Sequence, residues 1–461
     1  IMLRSGTDMW TDTRINVLNW ERVRNGNQLY GQYSEEVLRN QETNTDLMAT
    51  YSTKLTSDLS LNIMAGGLLR TNYYKRNFTQ VGQLVVDGVY NLGNSIASLN
   101  TTASRIEEKE SQSVYGSAQF GYKDALYLDL TARNDWSSTL PSSQWSYFYP
   151  SVGVSAILTE LFGIKNSTLS FAKARASWAQ VGSDADPYSL EQTFLAATSW
   201  NGTIPEFYEN TEIANKGLKP QMTTGIEFGL EARFFNNRVG IDFTYYDQST
   251  RDQILAVEIS KSTGYNTRIL NAGEITNKGV EIVLNGTPIR LSNGFMWDIA
   301  VNFAKNKNQV VSLAEGLTTY TLGVRNSLQS LALVGQPYGS LYGIGFERAP
   351  DGNILYKDGL PVVSTKATVL GNIQPDWTGG IQNSFSFKGI SLTALIDIRA
   401  GGDAYNEGIG IARWTGQYEE TAVGREEGII GKGTMNVGTA EAPVYVPNNV
   451  IVPARQLYAY N

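Results

Sequence analysis

The sequence predicts an all-β protein, an antiparallel transmembrane β-barrel that is incomplete within this chain. Three observations carry that expectation. Short runs alternate apolar and polar residues, as in Val239-Gly-Ile241-Asp-Phe243-Thr-Tyr245 and Leu126-Tyr-Leu128-Asp-Leu130. Side chains two apart on a strand share a face, so each run has one greasy face and one wet face. The connections between runs alternate between tight and long, as the turns and loops at the two rims of an outer-membrane barrel do. No stretch approaches the roughly 20 apolar residues of a membrane helix, so a chain that spans a membrane must do so with strands.

The first strands expected are 28–38, 43–55 and 59–73, the last two joined by Thr56-Ser57-Asp58. A three-residue turn there pairs Leu55 with Leu59. Next come 112–122, 126–136, 147–158 and 168–181, with Lys123-Asp124-Ala125 as a tight turn. Strands 221–234 and 239–249 flank Phe235-Asn236-Asn237-Arg238, and 278–288 and 295–306 follow. The last pair, 376–388 and 390–400, meets at Lys388-Gly389, whose two-residue loop sets Phe387 and Ile390 on one face. That makes about thirteen strands. The whole chain, 1–461, reads as partial barrel with long loops near 74–111, 182–220, 250–277, 307–375 and 401–461. If 56–58 is a periplasmic turn, parity sends 295–306 outward and 376–388 inward. The segment between, with strand-like 338–348 and 353–357 around an Asp351-Gly352 turn, is then an extracellular excursion.

Leu126, Leu128, Ile241, Phe243, Ile299, Ile390 and Ile396 are expected to face lipid, and Asp129, Asp242, Asp298 and Asp397 the lumen. The wet faces also carry Arg133, Lys173, Arg175, Glu227, Glu231, Arg233, Glu281 and Arg399. A Lys or Arg on the lipid face at mid-membrane would cost about 2–4 kcal/mol. Aromatic clusters at strand ends, Tyr147-Phe148-Tyr149, Phe234-Phe235 and Tyr245-Tyr246, suit a membrane–water interface; ordinary packing is the alternative.

Composition narrows the chemistry. The formal net charge is −7, which argues against a nucleic-acid partner. The chain has no Cys and no His, so disulfides, thiolate chemistry and a histidine base are excluded within it. Gly428-Ile-Ile-Gly431-Lys432-Gly433-Thr434 lacks the spacing of a phosphate loop, and Gly343-Ile-Gly345 has no third glycine. Asp184-Ala-Asp186 offers oxygens to Ca²⁺, although a solvated turn is the simpler reading. No catalytic residue, metal site or cofactor is expected. Starting at Ile1 with no charged leader, the chain reads as a piece of a longer protein.

Several segments resemble the SusC/RagA-like outer-membrane proteins, a branch of the TonB-dependent transporters. They are Asn271-Ala-Gly-Glu-Ile-Thr-Asn-Lys-Gly-Val-Glu-Ile-Val-Leu284, Trp297-Asp-Ile-Ala-Val-Asn-Phe303 with Lys305-Asn-Lys-Asn308, and Val334-Gly-Gln-Pro-Tyr-Gly-Ser-Leu-Tyr-Gly343. Pro375-Asp-Trp-Thr-Gly-Gly-Ile-Gln-Asn383 and Gly401-Gly-Asp-Ala-Tyr-Asn406 follow, with Tyr149-Pro-Ser-Val-Gly153, Ala174-Arg-Ala-Ser-Trp-Ala-Gln-Val-Gly182 and Leu218-Lys-Pro220 upstream. The resemblance implies a barrel of roughly 22 strands, of which this chain supplies about thirteen, and the family's N-terminal plug domain and TonB-contacting segment are not recognised in it.

The resemblance implies active import across the outer membrane of a Gram-negative, Bacteroidetes-like cell. It implies energy through TonB, by a segment absent here, and a SusD-like surface lipoprotein as partner. The cargo it implies is an oligosaccharide, with peptides also known in the family. Trp145, Trp200 and Tyr208, on expected outer loops, are candidate sugar-stacking residues; packing of the loops or of the lipoprotein is the blander alternative. The competing functions are a passive porin-like channel and a soluble secreted β-protein, either an adhesin or a carbohydrate-active protein.

Overall fold

In the computed structural model, residues 1–24, 27–96, 100–164, 166–197, 201 and 203–459 are described, with the backbone alone for 20–24 and 27–29. Thirteen long strands follow one another in sequence order in the main sheet. They are β1 (Met2–Arg24), β2 (Asn27–Lys54), β3 (Leu59–Val81), β4 (Thr101–Tyr122), β5 (Leu126–Ser137), β6 (Ser146–Ile157) and β7 (Leu169–Ser183). Then come β8 (Gln221–Phe234), β9 (Val239–Arg251), β10 (Glu274–Arg290), β11 (Met296–Ser312), β12 (Trp377–Phe387) and β13 (Ile390–Ala400). The chain forms two compact units: 1–274 with 284–288, and 275–283 with 289–461. Each is described by itself.

The strand number matches the expected one through two offsetting differences. β1 occupies a stretch where no strand is expected, and the expected 28–38 and 43–55 are a single strand, β2. Arg39-Asn-Gln-Glu42 is polar on both faces and reads as a loop. In the structure this stretch is laddered on both sides, to Trp10 and Thr11 of β1 and to Tyr74 and Lys75 of β3 among others. Hydroxyl pairs (Ser5 with Thr45, 2.9 Å; Thr7 with Thr43, 3.0 Å) and the Arg70–Glu42 ion pair (3.6 Å) join the strands around this stretch in place of apolar contacts. For the same reason the expected loop 74–111 shrinks to 82–100, since 74–81 and 101–111 continue β3 and β4. The other long connections are 184–220, 252–273 and 313–376, each beginning a few residues later than the hydrophobic alternation suggests.

In the first unit the connections 55–58, 123–125, 158–168 and 235–238 leave one rim, and 82–100, 138–145, 184–220 and 252–273 leave the other. In the second, 388–389 lies at the rim opposite to 313–376. The tight turns set register as expected. Leu55 N–H donates to Leu59 O at 2.8 Å, and Phe387 pairs with Ile390 across Lys388 (φ 46°) and Gly389 (φ 90°), the left-handed pair that a two-residue hairpin loop needs.

Register propagates the faces from strand to strand. In the first unit one row runs Leu61, Phe120, Leu128, Val154, Ala176, Phe228, Tyr245, and the next Ile63, Ala118, Leu130, Val152, Trp178, Ile226. In the second, Phe385 pairs with Trp297 and Leu392, and Ile381 with Val301 and Ile396. These side chains are not buried: Phe228 is 51 % exposed and Ile390 75 %. A soluble protein rarely leaves so continuous an apolar face in water; lipid is the solvent that suits it.

The buried clusters lie at the strand ends and in the connections instead. In the first unit Leu140, Tyr147, Ala185, Leu218 and Ile269 form one core, drawing in Tyr149, Leu190 and Ile254. A second, Tyr33, Val81 and Leu84, holds the 82–100 connection on its hairpin. In the second unit Ile275, Val310 and Ala332 pack with Tyr320 and Tyr338 under the excursion. That excursion carries the strands 340–346 and 355–357, and Gly352 closes a turn onto Ala349 O at 2.8 Å, as the Asp351-Gly352 expectation has it.

Candidate functional site

The polar face of the wall is built by the residues between the apolar ones. Gln119, Asp129, Gly153, Ser177, Glu227 and Tyr246 form one polar row, directly beside the Phe120–Tyr245 row on the other face. Asp129 and Asp242 stand on this face, opposite to Leu128 and Phe243. Asp298 and Asp397 alternate in the same way with Ile299 and Ile396. Most of the charges are already paired. Gln119 donates to Asp129 at 2.7 Å. Arg233 bonds Glu231 at 2.7 Å and lies 5.1 Å from the Phe171 ring.

Two constellations use glycine as a slot. Arg175 crosses from β7 over β8 to β9, where it grips both Asp242 oxygens (2.7 and 3.1 Å) and Thr244 Oγ1 (2.6 Å). It can do so because the intervening residue is Gly229: a Cβ there would sit 2.2 Å from Arg175 Nε. Tyr115 likewise lies across Gly66, where a Cβ would meet its ring at 2.7 Å. Arg133 lies 5.7 Å from that ring and donates to Asp135 (2.7 Å) and Ser113 (2.8 Å); the Tyr149 hydroxyl donates to the other Asp135 oxygen at 2.6 Å. Further along the same face Arg4 bonds Asp46 at 2.8 Å. The expected interfacial role therefore fails for Tyr147 and Tyr149, which turn inward into the polar network and the rim core. Only Phe148 between them faces out, 57 % exposed.

The rim loops are pinned by few, well-placed groups. Asp184 accepts from Lys109 Nζ (2.6 Å) and Ser137 Oγ (2.5 Å), so both carboxylate oxygens of the supposed Ca²⁺ turn are engaged by side chains. Asn271 accepts from Lys219 N–H (2.8 Å) and donates to the carbonyls of Lys219 (2.7 Å) and Asp252 (2.9 Å). One side chain thus joins the end of the 184–220 connection to both ends of the 252–273 connection. In the second unit Gly401 (φ 71°) and Gly402 (φ 79°) fold the end of β13 back against Asp376 and Ile373, where a Cβ on Gly401 would clash with Asp376 and both take a left-handed backbone that favours glycine. Glu407 opens the helix Glu407–Trp414 and accepts from Asn326 (2.6 Å) and Arg325 (2.7 Å), which hold its carboxyl below the ordinary carboxylate range. Asp351 is lowered in the same way by the backbone N–H and side chain of Asn353.

The candidate sugar-stacking residues stand on separate connections. Trp145 lies at the end of 138–145 and is half-exposed. Tyr208 is half-exposed on the small hairpin of 194–196 and 207–209, paired with Leu195. Trp200 lies outside the described residues. Alternation alone did not single out Phe194 (69 % exposed) and Phe207 (64 %), which flank Tyr208 on that hairpin. Their signal is an aromatic–apolar repeat inside a long connection. Among the described residues no group of three acidic side chains is placed to hold a metal ion.

A family model described as the TonB-dependent receptor-like β-barrel matches residues 4–421. The chain is 31 % identical to TonB-dependent receptor P26 of Formosa agariphila over 69 % of its length and 34 % of that protein's. It is 24 % identical to TonB-dependent receptor SusC of Bacteroides thetaiotaomicron, over 63 % and 29 % respectively. The chain thus spans about a third of the length of the curated relatives it matches. Among solved structures, the RagAB peptide transporter superposes with a TM-score of 0.70 at 21 % identity, covering 86 % of this chain and 45 % of that one.

Proposed function

Because the chain belongs to the TonB-dependent receptor β-barrel family, we propose that it supplies barrel wall and outer loops to an outer-membrane importer of oligosaccharides, energised through TonB and capped by a SusD-like surface lipoprotein. The observation that carries the reading is the two-faced wall. Its apolar face needs lipid, its polar face needs water or a polar filling, and its two rims differ in loop length. Loops of this size at one rim suit a gated receptor better than an open pore. Exposed aromatics on those loops, among them Trp145 and Tyr208, suit sugar rings, which present an apolar face and a rim of hydroxyls. The Formosa and Bacteroides relatives support a Bacteroidetes-like cell as the setting.

The test is growth and uptake by a deletion strain on a panel of glycans and peptides, with and without a proton-motive-force uncoupler. Loss of growth on one or more glycans, with uptake abolished by the uncoupler, is the expected result. Loss confined to peptides would replace the cargo, and uptake indifferent to the uncoupler would make the protein a passive channel. Co-purification of the full-length protein with the product of an adjacent lipoprotein gene tests the partner.

A further inference from the structure

Residues after β13 fold around a cavity of about 560 Å³, within the span of roughly 300–1,000 Å³ typical of small-molecule sites. Its walls bring together Arg413, Arg425 and Arg455 with Trp414 and Tyr458. The charges are unequally compensated. Arg413 is paired with Glu420. Arg425 bonds only neutral acceptors: the carbonyls of Thr421 (2.9 Å) and Gly416 (2.5 Å), and Thr421 Oγ1 (3.3 Å). Arg455 makes no hydrogen bond or ion pair among the described residues. Glu419, Glu426 and Glu427 belong to the same segment but do not line the cavity. Among the described residues, two cations without an acidic partner therefore share one cavity with an indole that is 63 % exposed.

The cavity is tied to the excursion at the long-loop end of the second unit's strands. The helix Glu407–Trp414 is clamped at its start by Arg325 and Asn326 of residues 313–376, and its last residue, Trp414, enters the cavity wall.

We propose that this cavity binds an acidic sugar residue of the cargo, a pyranose bearing a carboxylate or a sulfate ester. The oxyanion would meet Arg425 and Arg455, and the apolar ring face the Trp414 indole. A guanidinium offers paired donors matched to an oxyanion, and the aromatic face selects a ring over an extended acidic peptide. The proposal rests on the oligosaccharide reading above and narrows it to anionic glycans.

The experiment is calorimetric titration of the purified full-length transporter with matched probes: an oligogalacturonide against its methyl ester, and a sulfated oligosaccharide against its desulfated form. One acidic probe should bind at least about tenfold tighter than its neutral twin, the effect of about one charge-assisted contact. Arg455→Gln should remove most of that preference and leave the neutral probe unchanged, while Arg455→Lys should retain part of it. Arg425→Gln should act in the same direction; because Arg425 also braces its loop, the Arg455 variants carry the test. Equal binding within both pairs, a preference that survives Arg455→Gln, or tighter binding of an oligoglutamate would overturn the proposal. If neutral oligosaccharides are imported without acidic preference, this proposal alone falls. If no oligosaccharide binds or supports growth, the oligosaccharide reading falls as well.

Discussion

Asn271→Ala is the substitution whose effect can be worked most directly from the structure. The side chain makes three hydrogen bonds to backbone groups of residues 219 and 252, at 2.7–2.9 Å. A net contribution of about 1 kcal/mol each, taken at or a little below that value because water reaches this rim, gives about 2–3 kcal/mol for the set. The loss is local. It unpins the end of 184–220 and the paired strands 254–258 and 267–271, while the wall strands keep their ladders. Hydrogen exchange on the full-length protein in detergent should therefore show the Lys219 amide losing protection by about 30- to 150-fold, at 1.4 kcal/mol per tenfold. Amides of β8 and β9 should be unchanged. Asn271→Asp keeps an acceptor for Lys219 N–H but sets a carboxylate against two carbonyl oxygens, so it should be no better than alanine. Unchanged protection at Lys219 in a folded Asn271→Ala protein would refute the pinning role.

Other expectations follow from the wall and the outer loops. Gly229→Ala should drive Arg175 off Asp242 and Thr244, at about 1 kcal/mol for a pair more than a third exposed. Combined with Arg175→Gln it should add little further loss in thermal or denaturant unfolding, and full additivity would contradict the slot. The chain contains no Cys, so single cysteines at Leu128, Phe228 and Phe243 should react with a lipid-confined label and those at Asp129 and Asp242 should not; the reverse pattern would invert the faces. The Glu407 carboxyl is held low, so the contact it makes is present at neutral pH and above. It should be lost only as pH falls beneath the ordinary carboxylate range. Trp414 fluorescence should report that acid transition, and Glu407→Gln should abolish it.

Legibility in the sequence tracked the solvent on each side of a strand. Where lipid faced one side and water the other, as in β5, β9 and β13, alternation placed the strands to within a residue or so. Where both sides are polar, as in the Arg39–Glu42 stretch of β2, or where hydroxyls interrupt the apolar face, as Thr11 and Thr13 do between Met9 and Ile15 of β1, the periodic signal fades although the ladder persists. Hydroxyl pairs and ion pairs take over there, and they depend on a register that the sequence does not display. The same limit applies to the site. Arg175 and Asp242 could both be assigned to the wet face, but not their pairing, which comes only through register and through the room left by Gly229. Tyr147 and Tyr149 were misplaced for a related reason. An aromatic near a strand end fits an interface equally well from either face, and only the Asp135 carboxylate and the Leu140–Ile269 core settle which side each ring takes.

That internal pairing bears on where recognition can occur. A guanidinium already gripping a carboxylate, as at Arg4, Arg133, Arg175 and Arg233, has its charge largely offset and so attracts an incoming anion less than an unpaired one would. Among the described residues no buried side-chain polar atom is left without a partner. Arg4 and Arg175 thus tie different strands together through their ion pairs, Arg133 does so through Ser113, and these contacts brace the wall. Uncompensated donors and exposed rings lie instead in the connections: Arg425, Arg455 and Trp414 after β13, Phe194, Phe207 and Tyr208 between β7 and β8. Selectivity located in the loops predicts a separable phenotype. Exchanging 401–459 for the equivalent loop of a relative should change which glycan is bound without changing the thermal stability of the wall, whereas Arg175→Gln should do the opposite. A loop exchange that left specificity intact would return the search for the cargo site to the polar face.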